Sequence, residues 1–282
     1  MQQHIEPYEN KNNPIVDVGN KTVPLIYFNQ IKLNYEESYN YHLENHESVI
    51  AVVMGKIDVY VDDISFLNIG KRKDLWSGKP EGIYVGKNSK VTIKCFSKKG
   101  SEVYVAGGLI EKKFPPFKIN QQQIQKVQYG SDETKTHRKI YHILGKNGEG
   151  ISGRLLVSEL FTVGAGGWSG FPPHKHDTDR IPYETKFEEV YQFRFNPSNG
   201  FGAQFLYPDQ KSLGPIYHVK DGSTILINKG YHPSVAAPGY QMYYFTIIVG
   251  KTHRSLIQFF DPSHSYQLET IPGIKDMIDN FK

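Results

Sequence analysis

Short runs of β-branched and aromatic residues, each closed off by glycine, lysine or serine, follow one another along most of this chain. That spacing favours a sandwich or a barrel over a helical fold. In the first half, "SVIAVVM" (48–54), Gly55-Lys56 and "IDVYV" (57–61) read as a hairpin with a tight turn. "GIYVG" (82–86), "KVTIKCF" (90–96) and "EVYVAGGLI" (102–110) follow at short intervals. In the second half the pattern resumes with "RKIYHIL" (138–144), "RLLVSELFTV" (154–163), "FEEVYQFRF" (187–195), "FGAQFLY" (201–207), "STILIN" (223–228) and "MYYFTIIVG" (242–250). The 19 Tyr, 16 Phe, 26 Gly and 16 Pro fit strands and turns. The exception is the C-terminus, where Ile274, Met277, Ile278 and Phe281 stand at i, i+3, i+4 and i+7 and predict a short amphipathic helix.

A length of 282 residues is enough for two domains. Between the two strand runs lies a polar, Gln-rich and proline-containing segment, 112–137, which reads as the crossover. The expected organisation is therefore all-β, with one barrel over 1–118 and a second over 119–282. The net charge of +4 is spread along the chain without a basic block, which gives no support to a nucleic-acid partner. Cys95 is the single cysteine and sits in a strand pattern, so it reads as packing and excludes an intrachain disulfide. The polar N-terminus and the lack of a long apolar stretch predict a cytoplasmic protein without a membrane partner. Barrel faces rich in Tyr and Phe make a homo-oligomer plausible.

"WSGFPPHKHD" (168–177) carries the chemistry. Alternate side chains of an extended strand share a face, so His174 and His176 project together and Lys175 turns away. Further along stand Glu188 and Glu189 at the start of a strand, and His232 just past a strand and a glycine turn. His, His, Glu and His suit a divalent transition metal: Zn or Mn foremost, with Fe, Co and Ni as alternatives.

That order of ligands resembles the cupin pattern, a small β-barrel with a Gly–His-x-His–Glu motif and a later Gly–Pro-x-Gly–His motif. The second motif stands here as Gly222, "STILI", Asn228-Lys229-Gly230, Tyr231 and His232, with Asn228 in place of the usual proline. The first has twelve residues, "DTDRIPYETKFE", between His176 and Glu189, a loop placed to cover the site mouth. In the cupin pattern the ligand directly precedes "VY", which selects Glu189 over Glu188. Alternation then sends Glu188 outward and turns Tyr191 and Phe193 to the side of Glu189.

The blocks "GGWSGFPPHKHD", "FEEVYQFRFNPSNGFG", "KGYHPSVAAPGYQMYYF" and "DPSHSY", together with "GKIDVYV", "GKRKDLWSGKPEGIYVG" and the position of Arg138, are similar to the 5-deoxy-glucuronate isomerase family of myo-inositol breakdown. The sequence departs from that family at Gly170, Gln192 and Asn228, none of them an expected ligand. The resemblance implies two cupin barrels. The first is degenerate and expected to be free of metal; the second carries one metal on His174, His176, Glu189 and His232.

It also implies conversion of 5-deoxy-D-glucuronate to 2-deoxy-5-keto-D-gluconate. A Lewis-acid metal and a general base would move the carbonyl through an enediolate. Tyr191 and Tyr243 or Tyr244 are the candidates for the base, and Arg180 and Arg194 for binding the substrate carboxylate. His42 and His46, four apart in a β context, do not form a comparable pair. The competing readings are the 5-keto-4-deoxyuronate ketol-isomerase of pectin breakdown and a non-catalytic sugar-binding cupin.

Overall fold

The computed structural model describes residues 2–281. The first barrel is a five-stranded sheet facing a four-stranded one. The larger sheet runs, edge to edge, Phe117–Ile119, Gly82–Val85, His46–Met54, Ser101–Leu109 and Ile26–Leu33. The smaller runs Ser38–His42, Lys90–Cys95, Ile57–Val61 and Ile64–Ile69. Inward alternate residues such as Ile31, Val52, Val59, Ile83, Ile93 and Val105 meet between them in an apolar core. Cys95 is buried at the edge of that core with its thiol against the Ser101 hydroxyl.

The second barrel has a seven-stranded sheet: His4–Ile5, Thr224–Ile227, Phe187–Asn196, Gln241–Gly250, Leu155–Thr162, Arg138–Leu144 and Gln125–Tyr129. It faces four short strands, Gly167–Ser169, Ser234–Ala236, Phe201–Phe205 and Ile216–Lys220. A two-stranded ribbon of His174–Lys175 with Phe259–Phe260 closes one end. The helix Ile274–Phe281 packs Ile274 and Met277 against Tyr129 and Ile140. The side chain of Phe281, the fourth member of the expected stripe, lies outside the described residues. No helix among them is long and apolar enough to cross a membrane.

The two large sheets pack back to back. Phe28, Tyr104 and Val49 of the first meet Phe245, Val157 and Val249 of the second in one continuous core. This explains why several strands are buried on both faces, as in Gln241–Gly250. Polar anchors cross the seam. Arg72 forms a two-pronged ion pair with Glu159 at 2.8 and 2.6 Å, both side chains buried. Glu47 accepts from Tyr84 Oη at 2.6 Å and from the amides of Gly153 and Leu155 at 2.6 and 2.9 Å. A Cβ on residue 153 would fall 2.5 Å from Glu47 Oε1, so glycine is what lets the carboxylate reach the backbone.

The architecture is the expected pair of barrels, with three differences in detail. The strands 48–54 and 57–61 are not a hairpin. His46–Met54 pairs with Gly82–Val85 and Ser101–Leu109, whereas Ile57–Val61 pairs with Ile64–Ile69 and Lys90–Cys95. Gly55, at φ +86°, turns the chain from one sheet to the other. Residues His4–Ile5 add an edge strand to the second barrel, against Thr224 and Ile225, so the extreme N-terminus crosses over. The 112–137 segment is ordered: Phe117–Ile119 closes the first barrel and Gln125–Tyr129 opens the second.

Candidate metal centre

Strand pairing sets the inner face of the second barrel row by row. Glu189 lies opposite Ile248, Tyr191 opposite Thr246, and Phe193 opposite Tyr244. Thr246 is opposite Ser158 and Tyr244 opposite Leu160; beyond them stand His142 and Ile140, with Arg138 opening the strand. Alternation thus points Glu189, Tyr191, Phe193, Tyr244, Ile140 and Arg138 into one space.

His174 and His176 reach that space from the closing ribbon. His232 arrives from the turn after Thr224–Ile227, where Gly230 adopts φ +88° and its amide donates to Asp177 Oδ2 at 2.8 Å. One nitrogen from each of His174, His176 and His232 falls within 4.8 Å of the others. Glu189 Oε2 lies 3.1 Å from His176 Nε2 and 3.4 Å from His232 Nε2. All four residues are buried.

Two of the imidazoles are oriented by the backbone. His232 Nδ1 is 2.9 Å from the Gly230 carbonyl and His176 Nδ1 is 3.3 Å from that of Phe187. A carbonyl only accepts, so those ring nitrogens carry the protons and the opposite lone pairs face the cluster. Burial, reinforced by the neighbouring histidines, pushes His174 and His232 down to about 3, which keeps both neutral. Burial works the same way on His176, but the hydrogen bond and charge of Glu189 outweigh it and raise this ring.

His232 Nε2 is buried and has no hydrogen-bond partner. An orphaned lone pair of this kind is costly unless something occupies it. Three imidazole nitrogens and one carboxylate around a single point are a donor set that fits a divalent transition metal. Gln258 Nε2 lies 2.9 Å from His174 Nε2, so this amide is the group an incoming ion would displace.

The cluster opens into a cleft lined also by Tyr129, Arg138, Phe171, Tyr191, Tyr244 and Met277. Tyr191 packs against Tyr244 with ring centroids 4.4 Å apart and planes tilted by 41°, and its ring lies 6.2 Å from that of His232. Burial, then the charge of Glu189, raise the Tyr191 phenol well above its ordinary range. Tyr244 Oη accepts from Arg138 Nη2 at 3.2 Å and touches the Ser169 hydroxyl.

Other expected site residues fall elsewhere. Tyr243 points to the opposite face, where it donates to Glu159 at 3.0 Å and packs on Trp76 in the inter-barrel core. Arg194 also faces the first barrel, held by Glu102 at 2.8 Å and Asp221 at 3.1 Å. Arg180 is bound to Glu184 at 2.7 Å and lies over the Phe259 ring, outside the cleft lining. Glu188 leaves the barrel interior as expected, yet is buried between the barrels, accepting from the Leu25 amide at 2.8 Å.

The long loop after His176 does not cover the mouth. It folds on the buried Glu184, which takes Lys175 Nζ and the amides of Asp177 and Thr178. Tyr129, Phe171, Ile274 and Met277 flank the cleft instead. Residue-type reasoning passed over Gln258, and it noted Arg138 only for its position. The available signal was a permanently charged residue on the inward side of an alternating strand, Arg138-x-Ile140-x-His142.

The sequence matches the KduI/IolB family over residues 3–267. The chain belongs to that family. It is 32% identical to the 5-deoxy-glucuronate isomerase of Halalkalibacterium halodurans, over 90% of this chain and 92% of that one. It is 30% identical to the enzyme of the same name from Bacillus subtilis strain 168, again over 90% and 92%. The crystal structure of an IolB-like protein from Salmonella typhimurium LT2 superposes with a TM-score of 0.86 at 26% identity, covering 94% of this chain and 99% of that one. The fold extends further: Lactobacillus farciminis oxalate decarboxylase superposes at a TM-score of 0.64 with 10% identity, over 100% of this chain and 97% of its own. At that identity the likeness concerns the double-barrel cupin fold alone.

Proposed function

We propose that this KduI/IolB protein is a metal-dependent aldose–ketose isomerase that converts 5-deoxy-D-glucuronate to 2-deoxy-5-keto-D-gluconate. The observation that carries the reading is the convergence of His174, His176, His232 and Glu189 at the base of a cleft, with His232 Nε2 left unpartnered. We assign these four as ligands of one divalent metal, Zn or Mn in the first place. When bound there, the metal supplies a Lewis acid for the carbonyl and hydroxyl oxygens of the substrate.

The chain's own residues do the rest. Isomerisation removes a proton at C2 and returns one at C1, so groups that can hold a proton must border the reacting carbons. Tyr191 and Tyr244 are the hydroxyls in place. Tyr244 is held by Arg138 and Ser169, and Tyr191 sits beside Glu189. The tyrosine pair and the walls Phe171, Ile248 and Leu256 keep bulk water from the reacting carbons.

The test is to incubate metal-replete protein separately with 5-deoxy-D-glucuronate and 5-keto-4-deoxyuronate and to identify the products by NMR. Formation of 2-deoxy-5-keto-D-gluconate from the first supports the proposal. Turnover of the second alone would move the protein to the pectin-derived uronate. Binding without turnover of either would make it a sugar-binding cupin.

A further inference from the structure

Among the described residues Arg138 is the largest fully buried side chain, 1% exposed, and it lines the same cleft as His174 and His176. Its Nε donates to the Phe161 carbonyl at 3.3 Å and its Nη2 to Tyr244 Oη at 3.2 Å. Its guanidinium carbon lies 5.6 Å from the centre of the Tyr244 ring. Among the described residues, Nη1 has no hydrogen-bond partner and no carboxylate forms an ion pair with this side chain.

The other enclosed arginines show what is missing. Arg72 is closed by the two oxygens of Glu159. Arg194 has Glu102 and Asp221. Arg254 spends its fork on the carbonyls of Gly145, Gly153 and Leu155. Arg138 alone among these four combines full burial with one carbonyl, one phenol and no anion. Taking a guanidinium out of water carries a desolvation penalty, and here no carboxylate is paired with it. Its planar fork matches a carboxylate with two parallel N–H···O bonds.

A six-carbon uronate has its carboxylate at the end opposite the carbons that exchange the carbonyl. A cleft that handles it needs two poles, one for each end. The ligand cluster forms one, and Arg138 is the cation at the other, with Tyr244 between them. We infer that Arg138 binds the carboxylate of the substrate and is the residue that makes the cleft specific for acid sugars. This assignment rests on the isomerase reading above, and it moves the expected carboxylate contact from Arg180 and Arg194 to a residue inside the cleft.

The test compares metal-replete wild type with Arg138→Met and Arg138→Lys. Each is assayed on 5-deoxy-D-glucuronate and on its C6-alcohol counterpart, 5-deoxy-D-xylo-hexose. Wild type should strongly prefer the acid. Arg138→Met should raise KM for the acid on the order of 10²-fold or more. It should leave KM for the alcohol nearly unchanged, so the preference collapses. Arg138→Lys keeps the charge, loses the fork and should fall between; it also serves if the methionine variant does not fold.

A variant that lowers kcat on both sugars alike and keeps the acid-to-alcohol ratio would overturn the inference, leaving Arg138 as a brace for Tyr244. If wild type turns over neither sugar, the isomerase reading fails by itself. Thermal melting then decides Arg138: stabilisation by D-glucuronate but not by D-glucose, lost in the variants, supports the carboxylate site. Equal shifts in all three proteins, or none, overturn it.

Discussion

Ile31, Val52, Val59, Ile93 and Val105 fill the space between the sheets of the first barrel, whereas Tyr191, Tyr244, Arg138 and the His174–His176–His232–Glu189 cluster occupy that of the second. The two share a plan of a large sheet facing a small one. An aliphatic interior is held by packing alone. A polar interior needs each group oriented from outside it, and the second barrel spends backbone carbonyls on its imidazoles and Asp177 on the Gly230 turn. Under the proposed function, support falls to one barrel and chemistry to the other, with the back-to-back sheets as the joint.

Substitutions should respect that division. The largest effect belongs to Glu189→Gln, which keeps shape and removes charge. Turnover should drop to background while the circular dichroism spectrum stays that of wild type; retained turnover would remove Glu189 from the donor set. At the joint, Arg72→Met strands the buried Glu159 carboxylate and should cost about 3–5 kcal/mol in urea unfolding. Pairing it with Glu159→Leu should recover most of that loss, because no lone charge is then left inside. In the first barrel, Ile93→Ala should cost about 2–5 kcal/mol. Metal content and KM of the folded fraction should not change. Loss of metal in that variant would break the division.

The smallest effect is the pH dependence contributed by His142. Burial, with a lesser contribution from Lys146, pushes His142 from 6.5 down to about 4. Between those values the unfolded chain binds a proton that the folded chain refuses. This contribution to stability is therefore complete above pH 6.5 and is lost as pH falls toward 4. It amounts to at most about 3 kcal/mol. His142→Asn should reduce the slope of the melting temperature against pH across that window, the remainder coming from the buried His174 and His232; an unchanged slope would remove His142 from the titration.

Much of this was legible in the residues. The period-two strands and the spacing of His174, His176, Glu189 and His232 anticipate both the barrels and the convergence of the four side chains. What alternation could not reveal is that the large sheets are covered on both faces. Tyr243 and Tyr244 are adjacent and equally buried, yet one belongs to the joint and the other to the cleft. Arg194 looked available because its partner Glu102 lies 92 positions away, in the other barrel. The turn at Gly55 reads as a hairpin for a related reason: a sharp corner between two sheets and a two-residue turn within one use the same residues.

The most direct test of the central claim is the number of metal ions per chain in fully loaded protein, measured for wild type and His232→Ala. The account predicts one ion in wild type and none in the variant. Two ions in wild type, or one retained without His232, would contradict it.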